Sequence, residues 1–146
     1  MKKKAAGGKK EAGDTIRVLC IDDHLEIRRL FELVLKEEKE IEIVAMADSA
    51  ENLEQQIETH APDVVVIDIS MPGRNPVDAM RDTKKLHPGV RFLVSTSYDD
   101  PGMIQRVFDA GANGYLVKGS AFEDLADSIR RITLDEKVMP RKLPQA

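Results

Sequence analysis

Two hydrophobic rhythms alternate along this chain. Ile16-Arg17-Val18-Leu19-Cys20-Ile21 is a short, nearly continuous apolar run of the kind that forms a strand. After it Ile27, Leu30, Phe31 and Val34 recur at helical spacing, which predicts an amphipathic helix over residues 25 to about 38. The alternation then repeats. Residues 41–47 form a second strand-like run; Asp48, with Glu51 three residues on, has the spacing of a capping box for a helix that must end before Pro62. Val64-Val65-Val66-Ile67-Asp68-Ile69 is apolar at almost every position, as expected of a central strand covered on both faces. Asn75-Pro76 supplies an N-cap followed by proline at the first helical position, and His87-Pro88-Gly89 signals that helix's end. Residues 90–96 are a fourth strand, and Asp100-Pro101 opens a fourth helix by the same logic. Gly114-Tyr115-Leu116-Val117-Lys118 is a short fifth strand. Ser120 and Glu123 then form a capping box for a last helix, whose stripe is Phe122, Leu125, Ala126, Ile129 and Ile132. Five strand–helix units without internal repeats imply an α/β fold, a doubly wound parallel sheet with five helices.

The length of 146 residues suits one domain with a single core, and 42% hydrophobic with 33% charged residues is ordinary for a globular protein. The single cysteine, Cys20, sits inside an apolar strand and reads as a small buried hydrophobe. No apolar stretch is long enough to span a bilayer, and lysines occupy the place where a signal peptide needs its apolar segment, so a cytoplasmic location is expected. Residues 1–14 carry five lysines against Glu11 and Asp14, which leaves the body more acidic than the net charge of −4 suggests. This leader lacks aromatic anchors and is expected to be solvated and disordered. The domain proper is expected over residues 15–139, with a short tail at 140–146.

The candidate chemistry lies where the apolar runs end. Asp22 and Asp23 close the first run and Asp68 lies within the third. In a parallel sheet whose neighbouring strands end on one edge, these carboxylates converge and require a cation, either a divalent ion or a lysine such as Lys118. Taken alone, Asp22 and Asp23 are equally suited to cap a helix N-terminus. His24, His60 and His87 have neither metal-ligand spacing nor a neighbouring cysteine and read as surface or capping residues.

The acidic pair after the first strand, Asp68 followed by Ser70-Met71-Pro72-Gly73, the hydroxyl of Thr96 ending the fourth strand, then Tyr115 and Lys118, together resemble the receiver domain of two-component response regulators. The likeness runs from about residue 16 to about residue 139. From Tyr98 to Ser120 it is closest to receivers usually joined to a helix-turn-helix domain. The resemblance implies a flavodoxin-like strand order 2-1-3-4-5, with the site at the carboxyl ends of the strands. It further implies that Asp68 accepts a phosphoryl group from a sensor histidine kinase or phosphotransfer protein. Asp22, Asp23, Asp68 and the backbone carbonyl of Ser70 would hold Mg2+, and Lys118 and Thr96 would hold phosphoryl oxygens. Movement of Thr96 would let Tyr115 turn inward. The change would be read on the face of helix 4, strand 5 and helix 5, including Met103, Ile104, Arg106, Val107, Tyr115, Asp124 and Arg130, by a second copy or an effector protein.

Some positions depart from the family pattern. Pro76 replaces a frequent glycine, and Gly119 stands where proline, preceded by a cis bond, is common. Ser70 and Tyr98 occupy the positions that set phosphoryl lifetime. Ser70 also stands where phosphoaspartyl hydrolases place an acid–base aspartate, which argues against turnover of small substrates. The residues after Met139 are too few and too proline-broken for a helix-turn-helix, so the sequence reads as a stand-alone receiver or the front part of a regulator, without a DNA-binding domain of its own. A pseudo-receiver that binds without being phosphorylated is the alternative, and absence of Mg2+ binding would favour it.

Overall fold

A computed structural model describes residues 14–98, 100–118 and 122–140. Five strands, β1 (Ile16–Ile21), β2 (Ile41–Ala47), β3 (Val64–Ile67), β4 (Arg91–Thr96) and β5 (Gly114–Val117), form one sheet in the order β2-β1-β3-β4-β5. Every neighbouring pair is parallel. The helices are α1 (Leu25–Leu35), α2 (Leu53–His60), α3 (Pro76–Leu86), α4 (Pro101–Asp109) and α5 (Leu125–Thr133). The expected fold class and strand order are both present.

Side chains of a strand alternate between faces, and the core divides accordingly. Leu19, Ile21, Val65, Ile67, Phe92 and Val94 pack with α2, α3 and α4. Val18, Cys20, Val64, Val66 and Leu93 pack with Phe31 and Leu35 of α1 and with Leu125, Ile129 and Ile132 of α5. β3 is buried along its whole length, so its unbroken apolar run has a partner on each face. Among the described residues no helix is long and apolar enough to cross a membrane.

Two predicted caps form as expected. The Asn75 side chain accepts from the Val77 and Asp78 amides at 2.9 and 3.1 Å, and Asp100 accepts from the Met103 amide at 3.1 Å. The Asp48/Glu51 capping box does not form: α2 starts at Leu53, and its N-cap Asn52 makes no side-chain cap bond. The Glu51 carboxylate is drawn instead to the Arg74 amide at 2.7 Å, across the sheet edge. The proposed Ser120 cap lies outside the described residues. Phe122 belongs to a 3-10 turn before α5 and stacks obliquely on Phe31, their ring centroids 5.7 Å apart. Four boundaries shift inward. α1 ends at Leu35, β4 begins at Arg91, β5 ends at Val117, and β3 ends at Ile67, which leaves Asp68 just past the ladder.

The chain after α5 returns to the sheet, which periodicity did not indicate. Val138 makes a parallel bridge to Gly114: its amide donates to the Asn113 carbonyl at 3.0 Å, and its carbonyl accepts the Tyr115 amide at 2.9 Å. Arg91 pairs with Asp135, and the Lys137 ammonium lies over the Phe108 ring at 4.4 Å. Residues 134–140 therefore cover the outer edge of β5, where unpaired backbone groups would otherwise be open to another chain.

Gly114 admits that segment. A Cβ at this position would lie 2.7 Å from Ile132 Cδ1, 2.9 Å from Leu93 Cδ1 and 3.1 Å from Val138 Cβ. Gly114→Ala is expected to lower unfolding stability by about 1–3 kcal/mol through overpacking, read as a lower urea midpoint. A wild-type midpoint would show that the segment yields without cost.

Candidate functional site

The carboxyl ends of β1, β3, β4 and β5 share one edge, because every strand is parallel. Asp22 follows β1 and is fully buried, Asp68 follows β3 at 2% exposure, and the Lys118 side chain is 12% exposed. The Lys118 Nζ donates to Asp22 Oδ2 at 2.7 Å and to Asp68 Oδ2 at 3.1 Å. Burial alone would pull the Lys118 pKa down. Its hydrogen bonds to Asp22 and Asp68 and the charges of both carboxylates outweigh burial and hold it above the ordinary lysine value.

Local backbone orients the rest. The Ser70 amide donates to Asp68 Oδ1 at 2.9 Å, and the His24 amide donates to Asp22 Oδ1 at 2.9 Å. Arg28, one turn into α1, donates from Nη1 to the Asp22 carbonyl at 2.6 Å. Asp23 is partly exposed, yet its Oδ1 is buried and accepts no hydrogen bond from the described residues. A buried carboxylate oxygen left this way favours a cation, and a set of three carboxylates suits a hard divalent ion. The residues present therefore fit Mg2+.

The loop from Asp68 to α3 is fastened to α2. Gly73 takes a φ of +87°, and the Arg74 guanidinium makes two hydrogen bonds to the Glu54 carboxylate, at 2.7 and 2.6 Å. The Arg74 hydrogen bond holds the Glu54 pKa down at about 2. Pro76 is buried at the first position of α3, directly after the Asn75 cap.

Thr96 and Tyr115 meet on one backbone unit. The Thr96 hydroxyl accepts from the Tyr98 amide at 3.3 Å, while the Tyr115 hydroxyl donates to the Tyr98 carbonyl at 2.5 Å. Tyr115 is fully buried, because its ring completes the core between β5 and α4. The expected output face therefore needs correction. Ile104, Val107 and Tyr115 are core residues that cover the sheet and cannot form an exposed apolar centre. Arg130 turns away to pair with Glu38 and Glu40 at the α1–β2 connection. Arg106 remains exposed on α4, while Met103 and Asp124 are partly so.

His24 was missed. Its Nδ1 lies 3.3 Å from Asp22 Oδ1 and 3.0 Å from Asp23 Oδ1, and one donor atom from each of Asp22, Asp23, His24 and Asp68 lies within 4.8 Å of the others. The available signal was a third polar residue directly after the acidic pair. His87 is the C-cap of α3, one of the two places its reading allowed, while His60 lies in the last turn of α2, whose C-cap is Ala61.

Residues 18–130 match the family model for the response regulator receiver domain. The chain is 36% identical over 115 residues to the transcriptional regulatory protein DegU of Brevibacillus brevis, an alignment covering 79% of this chain and 49% of that protein. It is 30% identical over 129 residues to the oxygen regulatory protein NreC of Staphylococcus epidermidis, covering 88% and 59%. The chain thus spans about half to about three-fifths of the length of these curated relatives. Among solved structures, a LuxR-family two-component response regulator from Aurantimonas sp. SI85-9A1 superimposes with a TM-score of 0.81 at 27% identity, covering 86% of this chain and 90% of that one. The isolated REC domain of RcsB from Salmonella enterica serovar Typhimurium, solved with the phosphomimetic BeF3-, is similar in fold, with a TM-score of 0.80 at 21% identity over 88% and 95% of the two chains.

Removing the lysine leaves two buried carboxylates without their cation. In metal-free buffer Lys118→Met is expected to cost about 3–5 kcal/mol of stability, and adding Asp68→Asn should restore part of it. Because the folded-state pKa of Lys118 is raised above 10.5, its contribution is complete below pH 10.5 and is lost as the pH rises through the folded-state value. Urea unfolding of both chains from neutral to strongly alkaline pH checks this. A gap that stays constant to the highest pH would contradict it.

Proposed function

The chain belongs to the response regulator receiver family, and on that premise we propose that it accepts a phosphoryl group on Asp68 from the phosphohistidine of a sensor kinase or phosphotransfer protein. The observation that carries the reading is the Lys118 ammonium bridging Asp22 and Asp68, beside an Asp23 oxygen that lacks a hydrogen bond.

In the transfer, a carboxylate oxygen of Asp68 attacks phosphorus, the phosphorus–nitrogen bond breaks, and the donor imidazole leaves with its electron pair. The product is an acyl phosphate. Attack of one anion on another is opposed by charge, and the transition state spreads negative charge over three equatorial oxygens. Asp22, Asp23, Asp68 and the Ser70 carbonyl would hold Mg2+, which when bound would supply positive charge there. Lys118 keeps its ammonium directed at Asp68 and takes one phosphoryl oxygen. Thr96 donates its hydroxyl to another. Ser70 and Tyr98, at the two positions facing an attacking water, set the lifetime of the acyl phosphate. The protein acts as a regulator that modifies itself rather than as an enzyme that turns over a substrate.

The switch runs through Tyr98. Its amide is held by Thr96 and its carbonyl by Tyr115, whose own amide is held by Val138. When Thr96 moves to the phosphate, the Tyr98 backbone loses one of its two anchors. Tyr115 and the covering segment at β5 then change population together, as in a shift between pre-existing conformations. The output surface is the exposed side of α4 with residues 134–140, read by a second copy or an effector protein.

Acetyl phosphate with Mg2+ should add a single phosphoryl mass increment, abolished by Asp68→Asn and by excess chelator. Asp23→Ala should weaken Mg2+ binding by more than about tenfold. Full modification of the Asp68→Asn chain would show that the nucleophile is elsewhere. Beryllofluoride should change hydrogen exchange at the Tyr115 and Val138 amides, and Thr96→Ala should remove that response. Unchanged exchange at both amides would disprove this route.

A further inference from the structure

His24 is not needed by the phosphoacceptor reading, yet it is aimed at the same point. Its side chain is 59% exposed and makes no cap bond to α1. Its backbone amide is fixed to Asp22 Oδ1 at 2.9 Å, a turn that directs Asp22, Asp23 and His24 to one place. Lys118 takes the Oδ2 atoms of Asp22 and Asp68, leaving their Oδ1 atoms on the side away from the ammonium. A carboxylate oxygen can accept more than one partner, so the bonds from the His24 and Ser70 amides do not exhaust them. Asp23 Oδ1 is buried, accepts no hydrogen bond from the described residues, and has the His24 Nδ1 beside it at 3.0 Å.

The donor set decides which ions such a place prefers. Two donors bound to one transition ion at about 2.1 Å each are at most about 4.2 Å apart. The four donor atoms from Asp22, Asp23, His24 and Asp68 already lie within 4.8 Å of one another. Mg2+ prefers oxygen donors and keeps its waters, whereas imidazole suits zinc, cobalt, nickel and copper. An imidazole nitrogen at this rim adds affinity for the second class without adding any for the first.

We infer that His24 makes the carboxylate cluster a binding site for imidazole-preferring divalent transition ions, of which Zn2+ is the test case, in competition with Mg2+. The inference rests on the reading of Asp22, Asp23 and Asp68 as a divalent-ion site and adds the residue that sets its ion preference. A transition ion held by His24 together with the carboxylates would occupy the place that Mg2+ needs. Phosphorylation would then fall as Zn2+ rises.

The metal-free full chain, its His24→Asn and its Asp23→Ala variants are titrated calorimetrically with Zn2+ and, separately, Mg2+. His24→Asn is expected to lose about tenfold or more of the Zn2+ affinity and to keep Mg2+ affinity within about twofold, while Asp23→Ala loses both. In the unsubstituted chain Co2+ should broaden the ring resonances of His24 before those of His60 and His87. That measurement does not depend on how a variant folds. Equal Zn2+ affinity in the wild-type and His24→Asn chains, or His24 resonances that broaden last, would overturn the inference and leave the Mg2+ reading intact. Failure of the wild-type chain to bind either ion at the cluster would overturn both.

Discussion

A single ammonium between two buried carboxylates organises this molecule. Lys118 reaches Asp22 and Asp68, and all three side chains are nearly closed to water. Two carboxylates in that setting without a cation would destabilise the fold or take up protons. The strand ends must therefore present β1, β3 and β5 to one place, and a parallel sheet in the order β2-β1-β3-β4-β5 does so. Neighbouring strands are about 4.8 Å apart, so β5 lies about 10 Å from β3. A long side chain is needed to cross β4, and lysine is long enough while a short polar group such as Thr96 serves from β4 itself.

The same edge explains why the surrounding loops are so heavily tied. Arg28 holds the Asp22 carbonyl, Arg74 fastens the loop after Asp68 to Glu54 and Glu51, and Tyr115 holds Tyr98. Each contact fixes a backbone segment carrying a group of the site, so the geometry does not depend on flexible side chains alone. At the opposite side of β5, Val138 closes the sheet and links the Tyr115 backbone to the chain that follows α5. A group at the site and the last described segment are thus separated by few hydrogen bonds.

Much of this was legible locally. Asn75-Pro76 and Asp100-Pro101 cap helices as their types predict, since a cap needs only the amides two or three residues ahead. The continuous apolar run before Asp68 revealed a strand buried on both faces. Other readings failed where a distant partner competed. Glu51 had the spacing of a capping box, but the Arg74 amide took its carboxylate. Tyr115, Ile104 and Val107 looked available for a surface, but the sheet beneath α4 required them as core. His24 is the exposed residue at the N-cap position of α1 that its surface or capping reading expected; what that reading left out is that its ring also lies beside two carboxylates.

The sequence by itself determined the element types, their order, the family likeness and the identities of the acidic, hydroxyl and lysine residues, because periodicity, caps and motif order are written in neighbouring positions. Only the tertiary structure decided that Lys118 bridges Asp22 across 96 positions, that Val138 seals β5, and that His24 joins the carboxylates. The first two depend on how strands are ordered, which is set by packing over the whole domain and has no local signature in the chain. The third joins His24 to its own neighbours Asp22 and Asp23 but also to Asp68, and that last approach needs β1 beside β3.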